Sequence, residues 1–287
     1  MNRTSKDARE LIAFYLDAGV DALLGEQPVD RFADERETPP LPEGMRSDSE
    51  AARPRAGQRL PSTDPLRQSV TPVFREGPAR TAVPPPAPEA AIVAAREAAR
   101  SAKSLEELRA LLDGFAGCAL AATATQLVFA DGNPKGRVMF VGEAPGREED
   151  IAGLPFVGRS GKLLDRMMEA IGLDRTRVYI ANVVPWRPPG NRTPTPQETA
   201  ICLPFIRRQI ELADPDILVC LGQPATQTLL GSKDGITKTR GRWMKYDAGS
   251  REIRALATYH PAFLLRSPLQ KRLAWRDFLA LKKALAQ

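Results

Sequence analysis

Four short stretches of the chain carry side chains suited to chemistry. Gly142-Glu143-Ala144-Pro145-Gly146 sets two glycines and a proline around a carboxylate, a tight loop that lets backbone N–H groups approach a ligand. It continues into Glu149 and Pro155-Phe156-Val157-Gly158, although loops of this form are commonly plain turns. Asn182 leads into Pro185-Trp186-Arg187-Pro188-Pro189-Gly190-Asn191-Arg192, where prolines stiffen two arginines and an asparagine. Taken alone, that loop is a rigid connector whose Asn191 caps its own backbone. His260 is the only histidine in the chain and is followed by Pro261-Ala262-Phe263-Leu264-Leu265-Arg266. A lone histidine is commonly structural, yet an apolar loop tip with basic neighbours suits insertion into a base stack. The plainer alternative is a leucine pair packed in the core. Last, Lys238-Thr239-Arg240-Gly241-Arg242-Trp243 gathers three cations, a glycine and an aromatic. Such a segment could hold a phosphate backbone or form an ordinary solvated turn.

The elements that must position these residues follow from the apolar pattern. Runs at 137–142, 178–184, 216–222 and 252–260 alternate with helical patterns near 160–172, 196–213 and 223–231. Four β-rich runs separated by helices predict a three-layer α/β/α sandwich around a central four-stranded parallel sheet. Ligands collect at the carboxyl ends of such strands, which is where Gly142, Asn182 and His260 fall. An alanine-rich helix at about 89–101 comes first, then a second from Ser104, whose spacing to Glu107 is that of a capping box. Thirteen of the 26 prolines lie between Pro28 and Pro88, so residues 26–88 are predicted to be a disordered linker. Residues 1–25 are predicted to hold a short amphipathic helix, with Leu11, Phe14, Tyr15 and Ala18 near one face. It either docks back on the body or recruits a protein partner, since a helix of that length is marginal alone. Residues 89–287 are left as the folded domain.

The 287 residues carry 41 Lys plus Arg against 35 Asp plus Glu, a net charge of +6, and 43% are apolar, enough for one sizeable core. The charge is uneven: residues 114–287 hold a net +9 and residues 1–113 a net −3. A basic half beside a mildly acidic one fits a polyanion-binding domain with an appended segment, and equally a generally basic surface. No run approaches the ~18 uninterrupted apolar residues of a membrane-spanning helix. The first residues lack an uncharged apolar stretch, so no secretory signal is expected. Cys118, Cys202 and Cys220 are too scattered for a disulfide framework and fit a reducing cytoplasm.

Taken together, the strings GEAPGREEDIAGLPFVGRSGKLLDRM, YIANVVPWRPPGNRTPTPQE and HPAFLLR resemble the uracil-DNA glycosylases of the family-4, thermophile-type branch. The similarity runs over about residues 105–285. The resemblance implies removal of uracil from DNA as the first step of base-excision repair, by a monomer that acts on uracil-containing DNA and needs no membrane. It implies that Phe156 stacks on the extruded base and that Asn182 reads its polar edge. Glu149 falls where the pocket must exclude the 5-methyl of thymine, and Gly142 belongs to the same first motif. His260 would hydrogen-bond uracil O2 as the base leaves, with Glu143 and Asn191 sharing the task of positioning water or stabilising the sugar cation. Lys238, Arg240, Arg242, Leu265 and Arg266 are the candidate DNA contacts. Cleaving the C1′–N1 bond pushes charge onto O2 and leaves an oxocarbenium-like sugar, so a donor at O2 and a carboxylate near the sugar act mainly on the transition state.

In one respect the chain departs from the family pattern. Its relatives hold a [4Fe–4S] cluster on four cysteines, and Cys118 and Cys202 match two of those positions, but Phe115 and Trp186 replace the others. No cluster and no other cofactor is expected, because a cluster normally needs four thiolates or close substitutes. Cys220 lies within an apolar run and is expected to be a small buried thiol. The alternative function is a module that binds or traps uracil-DNA without turnover. It is disfavoured because the trapping loop of such relatives carries a histidine and this one does not. Without the resemblance, the residues support a basic α/β protein that binds nucleic acid.

Overall fold

The computed structural model describes residues 88–286. The helix expected within 1–25 lies outside the described residues, as does the expected linker up to its last position. Three helices lead in: α1 (Pro88–Ser101), α2 (Leu105–Asp113) and α3 (Ala119–Thr123). Ser104 caps α2 by accepting the Glu107 N–H, as the spacing predicts, while Glu107 reaches back to the Lys103 N–H.

The expected parallel core is present. β2 (Val138–Gly142), β3 (Val178–Asn182), β4 (Ile217–Leu221) and β6 (Glu252–Thr258) pair in parallel, in the spatial order β3-β2-β4-β6. Every position of β2, β3 and β4 is buried, which is what a parallel sheet covered on both faces requires. Met139 and Val141 point to a core shared with Phe205 and Ile206 of α6 (Pro196–Ala213). Val138 and Phe140 point the other way, toward α5 (Arg159–Glu169) and α10 (Lys271–Leu285), where Phe140 stacks on Phe278. Successive side chains of one strand thus feed two layers. α6 has the bounds its pattern gives: Thr195 and Glu198 form a capping box and Pro196 takes the first turn.

Three features differ from the sequence expectation. The sheet has six strands, because β1 (Asp131–Gly132) and β5 (Trp243–Asp247) add antiparallel edges. β5 is hidden in the pattern because Lys245 and Asp247 are exposed on an edge where one side meets water. The expected basic turn at 238–243 is instead the end of α8 (Ile236–Thr239), a glycine turn and the start of β5. The stretch after His260 is a short helix, α9 (Pro261–Arg266), rather than a loop, with Pro261 at its first position. Two further helices, α4 (Arg147–Ala152) and α7 (Gln223–Leu230), start just beyond β2 and β4.

Candidate active site

A cavity of about 730 Å³ opens at the carboxyl ends of the four parallel strands. Glu143, Glu149, Phe156, Asn182, Asn191 and His260 all line it, so the catalytic candidates and three of the four base-binding candidates meet in one place. Gly142 lies just behind. A Cβ there would fall 2.5 Å from both Asn182 Oδ1 and the Phe156 ring, so only glycine lets these two groups approach.

His260 is held by both neighbours. Its Nδ1 accepts the Ala262 N–H at 3.1 Å, so in the neutral ring Nε2 carries the proton. Burial, helped by Arg266, pushes its pKa down to about 4 against a weaker upward pull from Glu149. The histidine is therefore a neutral donor across the physiological range. Gly222, at φ +89°, passes under the ring, and a Cβ there would meet His260 Cβ at 2.9 Å.

Phe156 faces His260 with 5.5 Å between ring centroids. Its φ of 55° is unusual for a bulky residue and must be imposed by its surroundings. Arg175 supplies that constraint. It donates to the carbonyls of Phe156 and, at 3.1 Å, Pro155, while Asp165 and Asp131 hold its guanidinium. Glu149 frames the same loop. One carboxylate oxygen accepts the N–H groups of Val157 and Gly158 at 3.1 and 2.9 Å, and the other accepts that of Gly146 at 3.1 Å. Its carboxylate is a brace between two loops as well as part of the cavity wall.

Asn191, at φ 56°, accepts the Arg187 Nε–H on its Oδ1 at 2.6 Å. Arg187 in turn lies 3.9 Å from Asp150, a buried carboxylate that also accepts the N–H and hydroxyl of Thr125. The part of Asn191 left for a ligand is its NH₂. Glu143 differs: burial pushes its carboxyl above the ordinary carboxylate range, against a weaker downward pull from Thr193.

Among the described residues, three buried side-chain polar atoms have no hydrogen-bond partner: Glu143 Oε1, Asn182 Oδ1 and Gln223 Oε1. All three are acceptors, and all three residues line this cavity. Buried polar groups are ordinarily satisfied, so three orphans in one cavity mark a site built for a ligand with donors.

The candidate DNA contacts divide. Arg266 lines the cavity, Leu265 is exposed beside it, and Lys238 and Arg242 are exposed. Leu264 is buried, so of the leucine pair one packs and one is presented. Arg240 is not available as a DNA contact, contrary to expectation. It is paired with the buried Asp277, donates to the Leu273 carbonyl and lies over the Tyr259 ring. Trp243 stacks under Arg254 in the β5–β6 ladder. The sequence reading missed Arg175, Arg187 and Gln223. Only Arg187 left a trace, by falling inside the proline-stiffened loop.

Cys118 and Cys202, the latter on α6, lie in the same core cluster, and the Cys118 thiol together with burial pushes the Cys202 thiol well up. Phe115 packs edge-on against Phe205 at 5.0 Å and Trp186 is 3% exposed in the same cluster. Cys220 is buried in β4, its thiol pushed up to about 12 by desolvation.

Residues 129–279 match the model of the uracil DNA glycosylase superfamily. A type-4 uracil-DNA glycosylase of Archaeoglobus fulgidus is 39% identical over 180 residues, 61% of this chain and 90% of the relative. Those of Thermotoga maritima and Sulfurisphaera tokodaii are 46% and 41% identical, over 52% and 63% of this chain and 77% and 84% of theirs.

Proposed function

The chain belongs to the uracil DNA glycosylase superfamily, and from that premise we infer that it is a uracil-DNA glycosylase acting in DNA repair. The observation that carries the reading is the set of unpartnered acceptors in a cavity that also holds a neutral histidine donor.

The roles follow from what each group has left to offer. The target base leaves the duplex, at a cost of a few kcal/mol that favours poorly paired bases, and its ring stacks on Phe156. Asn182 Oδ1 accepts uracil N3–H while its NH₂ donates to O4; cytosine presents the opposite pattern at both positions. As the C1′–N1 bond breaks, its electron pair passes to the leaving uracil. The His260 Nε2–H stabilises the charge that builds on O2, in the manner of an oxyanion donor. Glu143 takes a proton from the water that adds to C1′, since its carboxylate keeps an unpartnered oxygen and burial raises its basicity. Asn191 does not share that duty: a neutral amide cannot take the proton, and with its oxygen bonded to Arg187 its NH₂ is free to donate to the water or the sugar. Glu149, fixed by three backbone N–H groups, supplies a wall that cannot yield to the 5-methyl of thymine.

We propose that this enzyme works without an iron–sulfur cluster. Only two thiols face the position, and Phe115, Trp186 and Phe205 occupy the surroundings with apolar, well-packed contacts. No group of three or more His, Cys, Asp or Glu side chains is placed to hold a metal among the described residues. The three free thiols fit a reducing cytoplasm. No helix among the described residues is long and apolar enough to cross a membrane.

The test is cleavage of a uracil-containing oligonucleotide by purified protein, with alkali to break abasic sites, and iron measured on the same sample. Turnover at substoichiometric iron is expected. Failure to form alkali-labile product would overturn the assignment, and activity that tracks bound iron would overturn the cluster-free reading.

A further inference from the structure

On the flank of the domain, α5 and α10 lie side by side and leave a slot between them. Leu163, Met167 and Ala170 form one wall, and Ala274, Trp275 and Phe278 the other. Leu163, Met167 and Ala170 are spaced i, i+4, i+7, and Lys271, Ala274/Trp275 and Phe278 are spaced i, i+3/i+4, i+7, so the slot runs along the two helices rather than across them. Leu264 of α9 closes its inner end. The cavity volume is about 190 Å³, and an apolar cavity of about 150 Å³ already accepts a benzene ring. Trp275 is 43% exposed at the lip and Leu279, one turn on, is equally exposed.

The charge around the slot is one-sided. The two helices carry eight cations, three on α5 and five on α10, against three acids. Two of those acids are already committed, Asp165 to Arg175 and Asp277 to Arg240, which leaves Glu169 alone. Arg166 and Lys271 rim the slot itself. Arg272, Arg276, Lys282 and Lys283 lie exposed along the same helix as Trp275 and Leu279. None of these six is ion-paired among the described residues.

Most of α10 lies away from DNA held at the active site, although the slot borders its first two turns. α10 starts just after the cavity-lining α9 and runs away from it. At the far end the Leu285 carbonyl accepts from Arg137, which immediately precedes β2. Fifteen residues carry the helix about 22 Å from the ligand-binding edge of the sheet to the opposite one. Duplex DNA also offers no free apolar side chain to fill a slot lined by leucine, methionine, tryptophan and phenylalanine.

We propose that the α5–α10 slot is a docking site for an acidic peptide segment of a partner protein, which inserts one aromatic side chain beside Trp275 and sets its carboxylates against Lys271, Arg272 and Arg276. Groove recognition by an apolar anchor with charged flanks is a common mode for short peptides. Because Leu264 belongs to the helix capped by His260, a docked partner sits directly behind the active-site wall without entering the cavity.

The probe is a fluorescein-labelled acidic peptide, Asp-Asp-Glu-Phe-Asp-Glu, titrated with the full chain and read by anisotropy. Its control carries alanine for the phenylalanine. Saturable binding at low salt is expected, weakened at least tenfold in the control peptide and by Trp275→Ala or by the double change Lys271→Glu, Arg272→Glu. Uracil excision by these variants should stay within twofold of the parent, which also verifies that they fold. Absence of saturable binding overturns the proposal, as does binding indifferent to the phenylalanine or to Trp275. Displacement of the peptide by a stoichiometric uracil-containing duplex would assign the face to DNA. Concentration-dependent self-association abolished by Trp275→Ala would assign it to a second copy of the chain, and either result overturns the peptide reading.

Discussion

The cavity at the strand ends and the aromatic cluster around Phe205 of α6 follow opposite rules. In the cavity, Phe156 and Asn191 keep left-handed backbone conformations, and three buried acceptors stay unpartnered. Around Phe205 of α6, Phe115, Trp186, Cys118 and Cys202 belong to one apolar core cluster with no orphaned side-chain N or O atom among the described residues. Strain and unmet hydrogen bonds gather where a ligand can make use of them. Where no ligand is held, ordinary close packing applies.

That contrast can be broken at several points. The largest effect belongs to Glu143→Gln, expected to lower turnover about 1,000-fold, within the range of a lost general base. It should also remove the acid limb of the pH–rate profile. The parent loses activity as falling pH protonates a carboxylate whose pKa burial has raised, whereas His260, at about 4, is still neutral there. A Gln variant that kept the same acid limb would assign the titration elsewhere. Next comes His260→Ala, expected to cost ~100-fold or more in kcat; a rate near the parent's would remove it from the oxyanion role. On the other side of the comparison, Trp186→Ala should cost about 3–5 kcal/mol of stability by leaving a cavity, with turnover at low temperature nearly unchanged. Thermal melting and single-turnover rates together check this, and loss of activity in a still-folded variant would tie the aromatic cluster to the chemistry. Smallest is the salt test. Arg266→Ala should flatten the logarithmic salt dependence of DNA binding by about one phosphate's worth, while Arg240→Met should leave that slope alone and lower the melting temperature.

Much of the fold was legible because parallel strands buried on both faces announce themselves as apolar runs, as at 138–142 and 217–221, and because α6 carries its own start signals in Thr195, Pro196 and Glu198. β5 was not legible, since an edge strand answers to water on one side and shows no clear period. The site divides in the same way. Glu143, Asn182 and His260 could be singled out because they fall at strand ends, whereas their roles, and that of Phe156, rested on the resemblance to the family. Arg175 could not, since it works through the Phe156 carbonyl and two acids 10 and 44 residues away. Arg240 misled for the same reason: its partner Asp277 lies 37 residues further on, and only the folded chain joins them.

The Arg175 brace has a consequence for how the protein meets heat. One guanidinium ties the edge strand through Asp131, helix α5 through Asp165 and the loop that carries the base-stacking ring. A pocket cross-tied in this way is held from three sides by one residue. Warming should leave uracil selection intact until the domain melts, and then both should vanish in a single cooperative step.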